Sequence, residues 1–512
     1  ANAFYGLIPG GVSVLDDTDS DIQVPNDINS FLWGQYVVPT EGGVWQKSNW
    51  QNIRNINYFM THYQSVQAAE ADVNIYVAEM RFFRALEYFN KIQLLGDVPW
   101  LEVDLNVDSE ELYGPKMKRN QVFQKIIEDL DFAIQWLPEA GSEEANRLNK
   151  DIARHVKARF CLNEGTHYKY HDELEYASEA EKWLQMAATE SDKLITSGRY
   201  EIYNTGHPQE DYFNMYRIDD KSDLKEAVLY VDYKTNIREH NMAAAGREAG
   251  CGFSKSFVES FLCSDGLPIS LSNKYLGDET MRKETANRDP RLKQLILTND
   301  FPTNVTDDLK DSTFVVNEDE FITQHCFTGY RPIKGFNPIY SQALYMKSSF
   351  DGIAYRYAET LLINAEAKAE LNTITNADLD RTVNQLRDRV GMPHLTVNVG
   401  FTDPKWPDWG YSLSPVLQEI RRERCIELAG EGFRFNDLKR WKAGKLLNNV
   451  LTYVGKRKPD GNLAIVYPNY TNPDLSYQAG KSRTWEDKMY LYPIPTGELQ
   501  RNPQLLPQNP GW

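Results

Sequence analysis

The residues with the most chemistry in them lie between Leu413 and Trp441, in LSPVLQEIRRERCIELAGEGFRFNDLKRW. Leu413, Leu417 and Ile420 recur at helical spacing and mark a buried stripe. The next positions on that stripe are Arg424, Glu427 with Leu428, and Glu431. Charges thus fall where apolar side chains belong. A buried charge without a partner is costly, so these must be paired. Gly432 supplies a helix stop. Arg434, Asp437, Arg440 and Trp441 follow on a second short helical run. The arrangement reads as a carboxylate–guanidinium network, Glu427 with Arg424 and Arg434, joining two helices. Arginine suits it because its fork pairs two oxygens at once. Buried acids can also serve catalysis, since burial shifts their pKa values. No histidine, cysteine pair or glycine-rich phosphate loop stands nearby to complete a mechanism, so the structural role is preferred.

Other candidate chemistry is thinner. Asp17, Asp19 and Asp21 alternate like the start of an EF-hand loop, but Ile22 and Ile28 occupy the positions that need Gly and Glu. LDDTDSD therefore reads as a solvated acidic loop. His167 and His171 are four apart, yet HYKYH lacks the Glu of a zincin and reads as surface histidines on a polar helix. The five cysteines, 161, 251, 263, 326 and 425, include no C-x-x-C. Cys251 and Cys263 could pair in an exported chain, and buried free thiols are the preferred reading. No G-x-S-x-G, P-loop or G-x-G-x-x-G occurs. A glycosidase needs two carboxylates about 5–10 Å apart. With 73 acids such pairs arise by accident. No catalytic residue, cofactor or metal ligand is assigned.

The elements that position these residues are mostly helical. Residues 1–9 suggest a short helix, and 22–44 an irregular loop carrying Trp33 and Tyr36 among turn formers. Trp33 can either face a ligand or plug the loop onto the core. From Val44 the pattern turns helical, with Trp45, Trp50, Ile53 and Met60 on one face. Further helices are predicted over 69–95, 120–137 with Asn120 as N-cap, 149–165, 177–197, 355–372 and 377–390. Successive pairs of this length predict a mainly α, tetratricopeptide-like helical-pair scaffold. Residues 200–345 are richer in Tyr, Asn, Asp, Gly and Pro, with a strand at 226–234. This predicts a helical part over 1–200, a loop-rich ligand-binding subdomain with a few short strands over 201–350, and C-terminal helices with a tail over 351–512, as parts of one integrated domain.

Composition narrows the function. A net charge of −17 argues against nucleic acid and against adhesion to anionic lipid by charge. No run of about 18 apolar residues is present to span a membrane. The chain opens on ANAFYGLIPG with no basic n-region, so the expectation is a trimmed form that has lost a signal and any lipidation cysteine. Aromatic content is 12%, with 29 Tyr and 11 Trp, which suits a ligand whose C–H faces stack on rings.

Several motifs in order then resemble one family. R-R-E-R-x-x-E-L-x-x-E-G-x-R-x-x-D-L-x-R-W resembles the C-terminal signature of the SusD/RagB family of outer-membrane nutrient-binding lipoproteins. AEMRFFRALEYFNKIQLLGDVPWL (78–101), FVESFLCSDGLPI (257–269), RDPRL (288–292), FTGYRPIKGF (327–336), YRYAETLLINAEAKAELN (355–372) and the tail Tyr492-Pro493-Ile494-Pro495 … Asn509-Pro510-Gly511 match further signatures. The resemblance implies a SusD-like helical fold and non-enzymatic capture of oligosaccharide or polysaccharide. It implies delivery to a SusC-like TonB-dependent transporter, on the extracellular face of the outer membrane, with attachment only through an N-terminal lipid. It also implies glycan contacts from the loop ahead of the first long helix and from the middle region. Here those are Trp33, Tyr36 and Trp45, then Tyr233, Arg238, Asn241, Arg247 and Tyr275. Trp406 and Trp409 form a reserve pair. Peptide capture of the RagB kind, a scaffold without a small ligand, and a glycoside hydrolase remain as alternatives.

Overall fold

Apolar and aromatic side chains at helical spacing build the longest helix, α2 (Glu70–Leu95), whose buried face runs from Val77 through Met80, Tyr88 and Ile92 to Leu95. Gly96 ends it at a positive φ of 74°. The computed structural model describes residues 2–27, 29–144, 146–465 and 483–512. Ahead of α2 lies α1 (Ser48–His62), and after it come α3 (Arg119–Trp136), α4 (Lys150–Tyr170) and α5 (Ala177–Ser197). Helix α2 packs on α3 and α4 packs on α5, giving the helical-pair scaffold. The C-terminal helices α6 (Tyr357–Glu370), α7 (Pro415–Glu427) and α8 (Arg434–Arg440) close against it, α6 resting on α4, α5 and α7. One apolar core runs from Ile8 to Leu428 through these helices.

The helix at 377–390 is interrupted, splitting into Asn376–Asp380 and Val383–Arg389. Asn120 is not a cap: Lys118 holds that position without a side-chain bond, and the Asn120 amide donates to Glu179. Among the described residues, eight short strands pair in antiparallel twos: β1 (Gln23–Pro25) with β3 (Cys251–Phe253), β2 (Ala227–Val231) with β6 (Gly352–Arg356), β4 (Pro302–Val305) with β5 (Ser312–Phe314), and β7 (Val454–Arg457) with β8 (Leu463–Ile465). Strand β6 runs straight into α6, so Arg356 stands where the irregular region meets the helices.

The charged stripe of α7 is buried and paired, with partners the sequence did not indicate. Glu427 is 0% exposed. It accepts from Arg356 at 2.6 Å, Arg389 at 2.6 Å and Arg291 at 3.0 Å. Those three guanidiniums hold its carboxyl well below the usual range. Arg424 turns instead to Asp437 at 2.8 Å, and Arg434 forks onto Asp21, both bonds 2.7 Å. Arg440 forks onto Glu366, which also accepts from the Trp441 indole.

The acidic loop is anchored rather than solvated. Asp17 is 1% exposed and accepts backbone N–H bonds from Gly430 (2.7 Å) and Arg434 (2.9 Å), while burial pushes its carboxyl up to about 7. The turn after α7 exposes these N–H groups, which need acceptors. The histidine pair is likewise interior. His167 and His171 stack at 4.0 Å, and His171 Nε2 meets the Lys439 carbonyl at 2.8 Å. Burial holds His167 well below its usual value. All five cysteines are buried and unpaired.

The same docking predicts a sensitive glycine. Gly430 has φ +83°, and a Cβ there would sit 2.4 Å from the Val14 carbonyl oxygen. Gly430→Ala is expected to lose at least the roughly 1–3 kcal/mol that the left-handed region costs other residues. A melting temperature equal to the parent's would show that the N-terminal strap does not fix this turn.

Candidate functional site

The sequence candidates lie in separate places. Trp33 is 9% exposed and meets Tyr453 edge-on at 5.7 Å, so it plugs its loop onto a core shared with Trp441 and Trp485. Tyr36 is half-buried against Tyr492 and Trp512 of the tail. Trp45 is half-buried, tilted against Trp50 at 5.1 Å in a mainly apolar groove of about 500 Å³ that includes Leu101, Val103 and Val107. Tyr233 and Arg238 do come together, with the guanidinium 4.6 Å over the ring, beside an open cleft of about 700 Å³. Asn241 accepts from the Met346 backbone N–H at 3.0 Å. Tyr275 lies apart, under Arg288 at 5.3 Å, with burial raising its phenol. The backbone of Arg247 ends a short helix, Met242–Arg247, and its side chain lies outside the described residues.

A cleft of about 560 Å³ forms instead around the reserve pair, between Ser256–Ile269, residues 403–409, α7 and residues 445–452. The text TDPKWPDWG dictates its wall. Asp403 closes a turn on the Lys405 N–H at 2.8 Å, and Pro404 and Pro407 fix φ on either side of Trp406. Arg422 (2.6 Å) and Ser270 (3.0 Å) tie Asp403 down. The Trp406 indole donates to Glu419 at 2.8 Å, and Trp409 donates to Gln418 at 2.7 Å. Trp409 is buried beneath Arg421 and edge-on to Trp441. Trp406 remains half-exposed and lines the cleft, its indole N–H held by Glu419. Around it stand Glu259 paired to Lys405 (3.0 Å), Asp408, Lys445 and Asn449. The carboxylates Asp403, Glu259 and Asp21 each meet a cation, which fixes them as hydrogen-bond acceptors. The arrangement offers a braced aromatic plane ringed by oriented polar groups.

A catalytic-looking trio exists elsewhere. His155 touches Thr360 Oγ1 at 2.8 Å and Glu359 at 2.9 Å. His155 is 0% exposed, and Arg159 also takes Glu359, so substrate has no route to it. Tyr340 and Tyr345 are exposed aromatics that the sequence did not single out. They are 52% and 78% exposed on a loop tied by Ser341 N–H to Asp307 and by Met346 N–H to Asn241. Their signal was the same as for Trp406: aromatics in turn-forming text without apolar periodicity.

The fold is that of a mainly helical protein, with packed helix pairs and a few short strands. The chain belongs to the SusD family, whose sequence model matches residues 196–512, more than half of the 512. It is similar to SusD-like protein P2 of Formosa agariphila, 25% identical over 456 residues, covering 86% of this chain and 75% of that one. A SusD-like protein of Bacteroides fragilis shares its fold with a TM-score of 0.75 at 24% identity, covering 100% of this chain and 96% of that one. So does a SusD-like carbohydrate-binding protein of the same species, with a TM-score of 0.71 at 20% identity and coverage of 99% and 98%. A laminarin-binding SusD-like protein aligns with a TM-score of 0.56 at 19% identity, covering 100% of this chain and 98% of that one.

Proposed function

We propose that this protein captures oligosaccharide or polysaccharide at the outer face of the outer membrane and passes it, unhydrolysed, to a SusC-like TonB-dependent transporter. The observation that carries the reading is Trp406: a half-exposed indole, braced at its edge by Glu419, over a cleft ringed by polar side chains. Sugar C–H faces stack on such a plane while hydroxyls reach the acceptors and donors around it. Family membership and the carbohydrate-binding fold neighbours favour the same class. Cation-paired carboxylates favour binding over proton donation. No helix among the described residues is long and apolar enough to cross a membrane, and we propose attachment through an N-terminal lipid. The division at 201–350 enters the proposal too: Ser256–Ile269 from that part meets residues 403–452 across the cleft.

Trp406→Ala is expected to weaken binding about tenfold, the loss of one stacking plane with its area. The melting temperature should hold, because Arg422 still faces Glu419 at 3.3 Å. The measurement is calorimetry against polysaccharides first screened by affinity electrophoresis. Parent-like binding by the variant would move the site elsewhere, and reducing ends appearing on incubation would overturn capture without hydrolysis.

A further inference from the structure

A second cavity, of about 440 Å³, lies between the N-terminal strap, α2, α4 and the turn into α8. Its volume falls within the range of small-molecule sites. The strap is fixed there: the Gly11 carbonyl accepts from Ile353 N–H at 2.9 Å, and a Cβ on Gly11 would meet the Ile353 backbone at 2.3 Å. The wall is therefore built backbone to backbone and is in place before any ligand arrives.

The polar groups facing this cavity have capacity that the protein leaves unused. Arg424 is 4% exposed; its Nε donates to Asp437, and its Nη1 has no hydrogen-bond partner among the described residues. A buried donor left unpaired costs about 1–3 kcal/mol, so such an atom calls for an acceptor. Three carboxamides line the same space. Beyond the helix ladder, among the described residues, Gln93 and Asn163 accept only through their backbone carbonyls, from Lys439 Nζ and Thr166 Oγ1. The Asn436 amide has no partner among the described residues. Each amide offers both donors and acceptors.

Charge selects what fits. Three lining guanidiniums, Arg159, Arg424 and Arg440, are matched in number by three lining carboxylates, Asp16, Glu431 and Asp437, and the ion partners behind them, Glu359 and Glu366 against Arg356 and Lys334, balance as well. A free anion or cation gains no net attraction. The rest of the wall is apolar, with Phe433 carrying Arg159 and Arg424 at 5.1 and 5.5 Å from its ring. A ligand must then be neutral, dense in hydroxyls, and able to lay one face on hydrocarbon. We propose that this cavity is a second site for a single neutral sugar residue, held by Arg424, Gln93, Asn163 and Asn436 and distinct from the Trp406 cleft. The inference rests on the reading of this chain as sugar-binding and adds where one further sugar residue is held.

The test uses the full chain titrated with glucose, galactose and mannose, with glucuronate as the charged control, by saturation-transfer NMR and calorimetry. At least one neutral monosaccharide should bind in the millimolar range. In a Trp406→Ala background, which removes the cleft's stacking plane, Asn436→Ala should weaken it about tenfold or more, and Asn163→Ala should weaken it too. Neither amide variant should alter the melting curve, since neither side chain holds another part of the protein. No saturable binding of any neutral sugar would mean the cavity holds water only and would overturn the proposal. Tighter binding of glucuronate, or a loss that follows Trp406 instead of Asn436, would overturn it as well. Polysaccharide retention that depends on Trp406 without any monosaccharide binding sinks this inference and leaves the proposed function standing.

Discussion

Glu427→Gln is expected to lower stability by about 3–5 kcal/mol, the cost of breaking one side of a buried ion pair. Glu427 is the meeting point of guanidiniums from three distant stretches: Arg291, Arg356 and Arg389. Glutamine keeps the shape and one acceptor oxygen. It removes the charge and turns an N–H₂ group toward one of the guanidiniums. Glu423 and Glu226 remain as partners for Arg291 and Arg356, so the network is weakened and not abolished. The pH dependence follows from the depressed carboxyl. A group whose folded pKa lies below its unfolded value contributes stability above the unfolded value and loses it as pH falls through the folded one. With an ordinary value of 4.5, the gap between parent and variant should be full above about pH 4.5 and close as the pH drops below it. Guanidinium chloride midpoints for both proteins at several pH values measure this. Equal midpoints at neutral pH, or a gap that widens on acidification, would remove the network from its structural role.

Sequence reasoning reached the helices that carry a strong apolar period and stopped where partners are distant. The boundaries of α2, α3 and α5 follow from spacing, because each buries one continuous face. That α7 holds paired charges also follows, since Glu427 sits on an apolar stripe. Which charges pair does not follow. Arg291 is 136 residues from Glu427, and only the packing of the middle region brings it there. Asp17 and Asp21 show the same limit from the other side. Alternating aspartates read as solvated until the turn after α7 presents unpaired N–H groups and Arg434 to them. For the site the limit is sharper. Trp33 and Trp406 stand in the same kind of text, a loop of Gly, Pro, Asn and Asp. One is buried and the other half-exposed, and local composition holds no term that separates them.

That contrast makes Trp33→Ala the decisive companion experiment. Were Trp33 a ligand platform, truncation would spare the fold. In its observed place the indole fills a core with Tyr453, Trp441 and Trp485, and its neighbours fasten the loop on both sides. Phe31 stacks on Tyr492 at 4.4 Å, and the Leu32 carbonyl accepts from Thr484 N–H at 3.0 Å. The surroundings therefore cannot collapse freely into the space left behind. Truncating a buried Trp or Phe costs about 3–5 kcal/mol when the cavity persists. Trp33→Ala should fall near that range, and Trp33→Phe, which retains an edge for Tyr453, should recover much of it. The Trp406→Ala protein serves as the control, with weakened glycan binding and a parent-like melting curve. Differential scanning calorimetry of the three variants separates the two roles. A Trp33→Ala protein that melts like the parent and binds glycan about tenfold less well would return the site to the loop ahead of α1.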